Sequence, residues 1–148
     1  MLASLLMLGV TLALFGVWFR YTCVLILKAK PARDYSLEVA SANELKFLEV
    51  QQSLACIRER GDLDTLQRHL VGDYRLLTYI LRHGAQFQIG ASRMERRILM
   101  LDFELTRLWY ALTCRLSAAI SRKSLQEMIS IIAHLANFMG ERAVARAD

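Results

Sequence analysis

The side chains that could bind a metal or move a proton are few in this chain, and they are scattered. His69, His83 and His134 are its only histidines, and Cys23, Cys56 and Cys114 its only cysteines. Metal sites need such residues at set spacing, as in Cys-x-x-Cys or His-Glu-x-x-His, and neither pattern occurs. A di-iron bundle would need a Glu-x-x-His pair on each of two helices, and the chain has none. Asp62, Asp64 and Asp73 stand where helices are expected to begin, so they read as helix starters before they read as a catalytic pair. Nucleophile elbows, Gly-rich phosphate loops and dinucleotide fingerprints are missing, and Gly84 and Gly90 merely bracket the short loop AQFQI. Neither LQRHLVGD nor ILRHGAQF places an acid directly after its histidine, which argues against a phospho-accepting role. The sequence therefore predicts no catalytic residue, no metal and no cofactor.

What the chain does carry is apolar surface and cations in a definite order. Residues 1–27 read MLASLLMLGVTLALFGVWFRYTCVLIL, an apolar run broken by Arg20 alone. A helix needs roughly 20 mainly apolar residues to cross a bilayer core, so this run predicts a single transmembrane anchor. The net charge is +5, but residues 1–33 hold Arg20, Lys28, Lys30 and Arg33 with no acid, which leaves 15 basic and 14 acidic residues beyond them. The excess thus sits beside the span rather than on a nucleic-acid-binding face, and no nucleic acid is expected. Positive flanks stay cytoplasmic during insertion, which puts the N-terminus outside a cell (inner) membrane and the rest of the chain in the cytoplasm. Three widely spaced cysteines in apolar sequence suit that reducing side. A cleaved signal peptide fits less well, because the run is too long and lacks both a charged n-region and a clear small-x-small site.

Within the span, Gly9, Ala13 and Gly16 share one helical stripe, a candidate for close packing with a second transmembrane helix. Trp18, Arg20, Tyr21, Lys28, Lys30 and Arg33 are the expected interface anchors, with Arg20 reaching the cytoplasmic headgroups by extending its side chain. Residues 1–30 are therefore read as the anchor with its basic flank, 31–42 as a linker opened by Pro31, the chain's one proline, and 43–148 as a helical domain.

No stretch of that domain alternates with a period of two. Apolar spacing predicts a helix from Asn43 to Arg60 with Phe47, Val50, Leu54 and Ile57 on one face. Two short helices should follow, begun by Asp62 (Leu63, Leu66, Leu70) and by Asp73 (Leu76, Leu77, Ile80, Leu81), with Gly61, Gly72, Gly84 and Gly90 as punctuation and Gly140 as the final cap. Ser92 with Glu95, and Ser124 with Glu127, have capping-box spacing. They predict a long helix from Arg93 to about Ser121, joined by Arg122 to Ser124 to an antiparallel last helix from Leu125 to about Met139.

On the long helix, Met94, Ile98, Leu101, Leu105, Leu108, Leu112, Leu116 and Ala119 form one continuous apolar stripe, which is expected to face the core. Its expected partner is Leu125, Met128, Ile129, Ile132, Leu135 and Met139. Elsewhere on the same helix Arg93, Arg96, Arg97, Arg107, Arg115 and Arg122 cluster, with Glu104 the one acid among them. Leu99, Phe103 and Tyr110 form a second apolar patch beyond that basic sector, and Ile131 and Phe138 extend the last helix in the same sense. Together, Arg93, Arg96, Arg97, Leu99, Phe103, Arg107 and Tyr110 are the candidate surface for an acidic partner or anionic lipid.

The resulting expectation is an all-α, single-pass protein with a cytoplasmic bundle of about five helices. Its expected role is non-catalytic, as an accessory subunit, adaptor or scaffold that meets the lipid bilayer and another membrane-associated protein, with a homo-oligomer among the options. A small membrane-associated helical enzyme or signalling component is the alternative, and a deep pocket with converging titratable groups would mark it.

Overall fold

A computed structural model describes residues 1–29, 33–56, 60–84 and 93–145. Among these the chain is all helical, with six helices: α1 (Leu2–Lys28), α2 (Ser36–Ala42), α3 (Phe47–Cys56), α4 (Arg60–His83), α5 (Arg93–Thr113) and α6 (Ala118–Val144). It divides into two compact units, Met1–Lys30 and Pro31–Asp148.

The first unit is α1, whose 27 residues span roughly 40 Å at the α-helical rise. It is long and apolar enough to cross a membrane, and none of its most apolar stretch is buried. Its two threonine hydroxyls are satisfied within the helix. Thr11 Oγ1 donates to the Met7 carbonyl at 2.8 Å and Thr22 Oγ1 to the Trp18 carbonyl at 3.0 Å, the arrangement that an apolar environment demands of a polar side chain.

The second unit is built around α6, which packs against α5, α4, α2 and α3. A wide arc of α6 is buried, running from Ser121 through Leu125, Met128, Ile131, Ile132, Leu135 and Ala136 to Gly140. Every residue of the expected stripe on this helix is in the core, and Ile131 joins them. Gly140 lies inside α6 and not after it. A Cβ at this position would collide with the Tyr35 side chain and press on Val39, so glycine lets α2 approach α6 here. Next to it, the Tyr35 backbone N–H donates to Asn137 Oδ1 at 2.6 Å, and Asn137 Nδ2 donates to Glu141 at 3.0 Å.

Several expected boundaries are corrected. Residues 31–42, expected as a linker, include α2, which begins with Asp34 accepting the Ser36 backbone N–H at 2.9 Å and packs on α6. The hydrogen bonds from Ser36 hold the Asp34 carboxyl below the usual carboxylate range. Asn43, expected to open the next helix, closes α2. Glu44 takes a positive φ of 52° and the Leu45 N–H returns to the Ala40 carbonyl, the geometry of a Schellman ending. α3 therefore starts at Phe47 and buries Phe47, Val50 and Leu54, while Ile57 lies outside the described residues.

The two short helices expected around Asp62 and Asp73 are one helix, α4, with Gly61 and Gly72 inside it. Leu63, Leu66, Leu70, Tyr74, Leu77 and Leu81 keep helical spacing through Gly72, and all are buried. That continuous burial outweighs the cost of a mid-helix glycine, about 1 kcal/mol. Asp73 starts no helix. It is buried and accepts the Lys46 backbone N–H at 2.8 Å, capping the N-terminus of α3 from a neighbouring helix. Burial is the main reason its carboxyl titrates above the ordinary value.

The connection between the last two helices also moves. α5 ends at Thr113 and the chain turns over Cys114 to Ser117, well before the expected turn at Arg122 to Ser124. Ser124 is then mid-helix, with Oγ donating to the Ile120 carbonyl at 3.1 Å, so its capping box with Glu127 is not formed. Ser92, of the other capping box, lies outside the described residues. Glu95 near the start of α5 meets His134 in the second half of α6 at 3.4 Å, which makes the two helices antiparallel.

Gly140→Ala should destabilise the folded chain by about 1–3 kcal/mol, because the added methyl overpacks the α2–α6 contact. Gly72→Ala, whose Cβ meets nothing within 4 Å, should stabilise it by up to ~1 kcal/mol. Denaturant titration of the full chain in detergent micelles, followed by near-UV circular dichroism, checks both signs.

Candidate functional site

Helix α5 carries two apolar faces, and the structure buries the one that was not expected to be core. Leu99, Phe103 and Tyr110 are buried, together with Asp102, Thr106 and Thr113 on the same side. Leu99, Phe103 and Tyr110 are thus packing residues and are withdrawn from the candidate partner surface. The expected core stripe is outside. Leu101, Leu105, Leu108, Leu112 and Met94 are exposed, with Leu108 at 58% and Leu112 at 62% of their full accessibility. Ile98 at the edge is half-buried, while Leu116 and Ala119 fall in and beyond the turn and are exposed.

The choice of face follows from shape and polarity. Phe103 stacks on Tyr74 of α4 with ring centroids 3.9 Å apart and planes 11° from parallel. The Tyr74 hydroxyl donates to the Met100 carbonyl at 3.2 Å, and the Tyr110 hydroxyl to Asp64 at 2.8 Å. The Thr113 hydroxyl donates to the Trp109 carbonyl at 2.7 Å. Aromatic rings with hydroxyl tips fill a helix junction and still pair their polar ends. A row of leucines offers no such anchoring.

The outward face is bordered on one side by the basic sector. Arg93 and Arg97 are exposed, and Arg107 is half-buried, with an ion pair to Glu104 at 2.8 Å. Arg96 is also half-buried. Burial, and the neighbouring cations Arg93, Arg97 and Arg142, pull its pKa below the ordinary guanidinium value. Arg115 and Arg122 do not continue the row, because α5 stops at Thr113. They lie in the turn and on α6. The opposite border holds Trp109, 55% exposed, and Glu95. Phe138, expected as an extension of apolar surface, is half-buried under the Arg142 guanidinium, 5.4 Å from its ring centroid.

On α1, Gly9, Ala13 and Gly16 are exposed, and neither glycine has an atom within 4 Å of where a Cβ would stand. Trp18, Arg20, Tyr21 and Lys28 are likewise exposed along the helix. Arg33 places its guanidinium 5.6 Å from the Tyr35 ring centroid, and Lys30 lies outside the described residues. His83 Nδ1 lies 2.9 Å from the Tyr79 carbonyl with its ring against the Tyr79 ring, and His134 faces Glu95. Among the described residues no three of His, Cys, Asp or Glu converge as a metal-binding group, and no disulfide forms. The chemistry the second unit offers is an apolar helix face edged by charge.

A sequence signal for the inverted helix did exist. Leu99, Phe103, Thr106, Tyr110 and Thr113 repeat at spacings of four and three as regularly as the leucines do. Hydrophobicity alone ranks the leucine row higher. No protein family, curated protein sequence or solved structure matches the chain.

Two measurements follow from this geometry. Phe103→Ala should cost about 3–5 kcal/mol of stability, whereas Gln126→Ala on the exposed side of α6 should change it by less than ~0.5 kcal/mol, read by chemical denaturation of the full chain. Stability should also fall in alkali. Burial, with Glu104 nearby, pushes Tyr74 from 10.0 to about 12, and burial with the Asp64 hydrogen bond raises Tyr110 as well. Both hydroxyls keep their protons longer in the folded chain, so their contribution is complete below pH 10; that of Tyr74 is lost as pH rises through about 12, and that of Tyr110 in still stronger alkali. Tyr74→Phe combined with Tyr110→Phe should flatten that slope in pH-dependent unfolding.

Proposed function

We propose that the protein is a membrane-anchored helical interaction module, non-catalytic, serving as an accessory subunit, adaptor or scaffold of a membrane assembly. In this proposal α1 crosses a cell (inner) membrane with its N-terminus outside. Lys28, Lys30 and Arg33 hold the cytoplasmic side, and the second unit works in the cytoplasm. Gly9, Ala13 and Gly16 contact a neighbouring span, while Trp18, Arg20 and Tyr21 sit at the interface.

The observation that carries the reading is the leucine row of α5, which stands in solvent although the second unit holds four other helices that could cover it. Isolated exposed leucines are ordinary, but a contiguous row on one helix marks a place where another surface sits. Arg93, Arg97 and Arg107 at its edge add charge that orients a partner. The partner of this module is protein, and the lipid is its location.

Two readouts test the proposal. An epitope-tagged chain should stay in the membrane fraction after alkaline extraction, and protease should reach its C-terminal tag only from the cytoplasmic side. Extracted gently, it should sediment in an assembly larger than the 16.9 kDa chain. A chain carrying Leu101→Glu and Leu108→Glu should remain inserted yet leave that assembly. A soluble chain, a tag cleaved from outside, or an assembly indifferent to the two glutamates would sink the reading.

A further inference from the structure

We infer that the outer face of α5 pairs with the same face of a second copy of this chain, as a two-stranded coiled-coil seam. The inference rests on the proposed membrane-anchored module and names its partner. The outer row is a heptad pattern of three repeats. Met94, Leu101 and Leu108 are seven residues apart, Ile98, Leu105 and Leu112 are seven apart, and the two sets alternate at spacings of four and three. This is the a and d seam of a coiled coil, with Leu at two of three d positions and Ile or Leu at every a position, a composition compatible with two strands.

The seam is also narrow. A helix that lies in a lipid surface or closes a domain core shows a broad apolar arc, whereas a strict a/d stripe fits one facing helix. The borders of the stripe carry both signs, Arg93 and Arg97 with Glu104 and Glu95, and Arg107 is already engaged with Glu104. Anionic lipid would be met best by cations alone. A mixed edge suits a second protein helix, and two identical mixed edges can meet without a net clash of charge.

The face is also continuous. Met94, Leu101, Leu105, Leu108 and Leu112 are all exposed, one after another, along nearly the whole of α5. Copies that share one bilayer through α1 are held at high effective concentration, so a modest seam suffices to pair them.

The test uses the purified full chain in lipid nanodiscs, with Cys23, Cys56 and Cys114 replaced by Ala. Leu101→Cys with Leu105→Cys should yield an oxidised dimer whichever way the helices run, since residue 101 then faces either 101 or 105 of the other copy. Gln126→Cys with Ser130→Cys, on the exposed side of α6 at the same spacing, should not. Light scattering should give two chains per particle for the parent and one for Leu101→Glu with Leu108→Glu, with helical circular dichroism unchanged. Leu101→Ala with Leu108→Ala should weaken the dimer at least tenfold without adding charge.

A parent with one chain per particle, or equal crosslinking at the α6 pair, overturns the inference. So does a monomer in which the thiol introduced by Leu101→Cys is shielded from alkylation only when anionic lipid is present, which would assign the face to the bilayer. If the chain is monomeric when pure but leaves its native assembly on the glutamate changes, the seam belongs to a different protein. The self-pairing then fails while the interaction module stands.

Discussion

Helix α6 is the post on which the second unit depends. Four other helices pack against it, and its buried arc is wide enough that α2, α3, α4 and α5 each find an apolar surface there. Close approach on one side requires Gly140 under Tyr35, and Asn137 ties the start of α2 to the same turn. Once α6 is surrounded, each outer helix can place only one face inward. For α5, which has two apolar faces, one must be left out.

Which face is left out is settled by pairing of polar tips and by ring packing, not by total hydrophobicity. Tyr74 and Phe103 stack between α4 and α5, and the hydroxyls of Tyr74 and Tyr110 each reach an oxygen on the neighbouring helix. Each unpaired buried hydroxyl would cost roughly 1–3 kcal/mol, so a helix face that buries tyrosine is held to the orientation where partners exist. Asp73 acts in the same way between α4 and α3, its carboxylate supplying the capping oxygen that α3 lacks in its own sequence. These contacts orient the helices around α6 and turn the leucine heptads of α5 toward solvent.

The division between α1 and the rest was plain in the chain itself. A run of 27 mainly apolar residues with one charge cannot be buried by a unit of 118 residues and still leave that unit a core, so its physical character is independent of what folds beside it. Helix content was equally readable, since apolar residues recur every three or four positions and nowhere every two. The buried stripe of α6 follows from its three- and four-residue spacing. Local signals mislead where their tertiary partners lie far away in the chain. Asp73 and Ser124 resemble helix starts, yet one caps a distant helix and the other sits mid-helix bonded to Ile120. Gly72 and Gly140 resemble stops, yet burial carries both helices through them.

Composition and periodicity by themselves thus determined an apolar first helix followed by cations, an all-helical remainder and the inward stripe of its last helix, because each follows from residues close in sequence. Only the tertiary structure decided which face of α5 points inward, which helix Asp73 caps and where the final turn falls. Those outcomes depend on ring stacking and hydrogen bonds between residues distant in the chain, such as Tyr74 with Phe103 and Tyr35 with Asn137, and no local spacing encodes them.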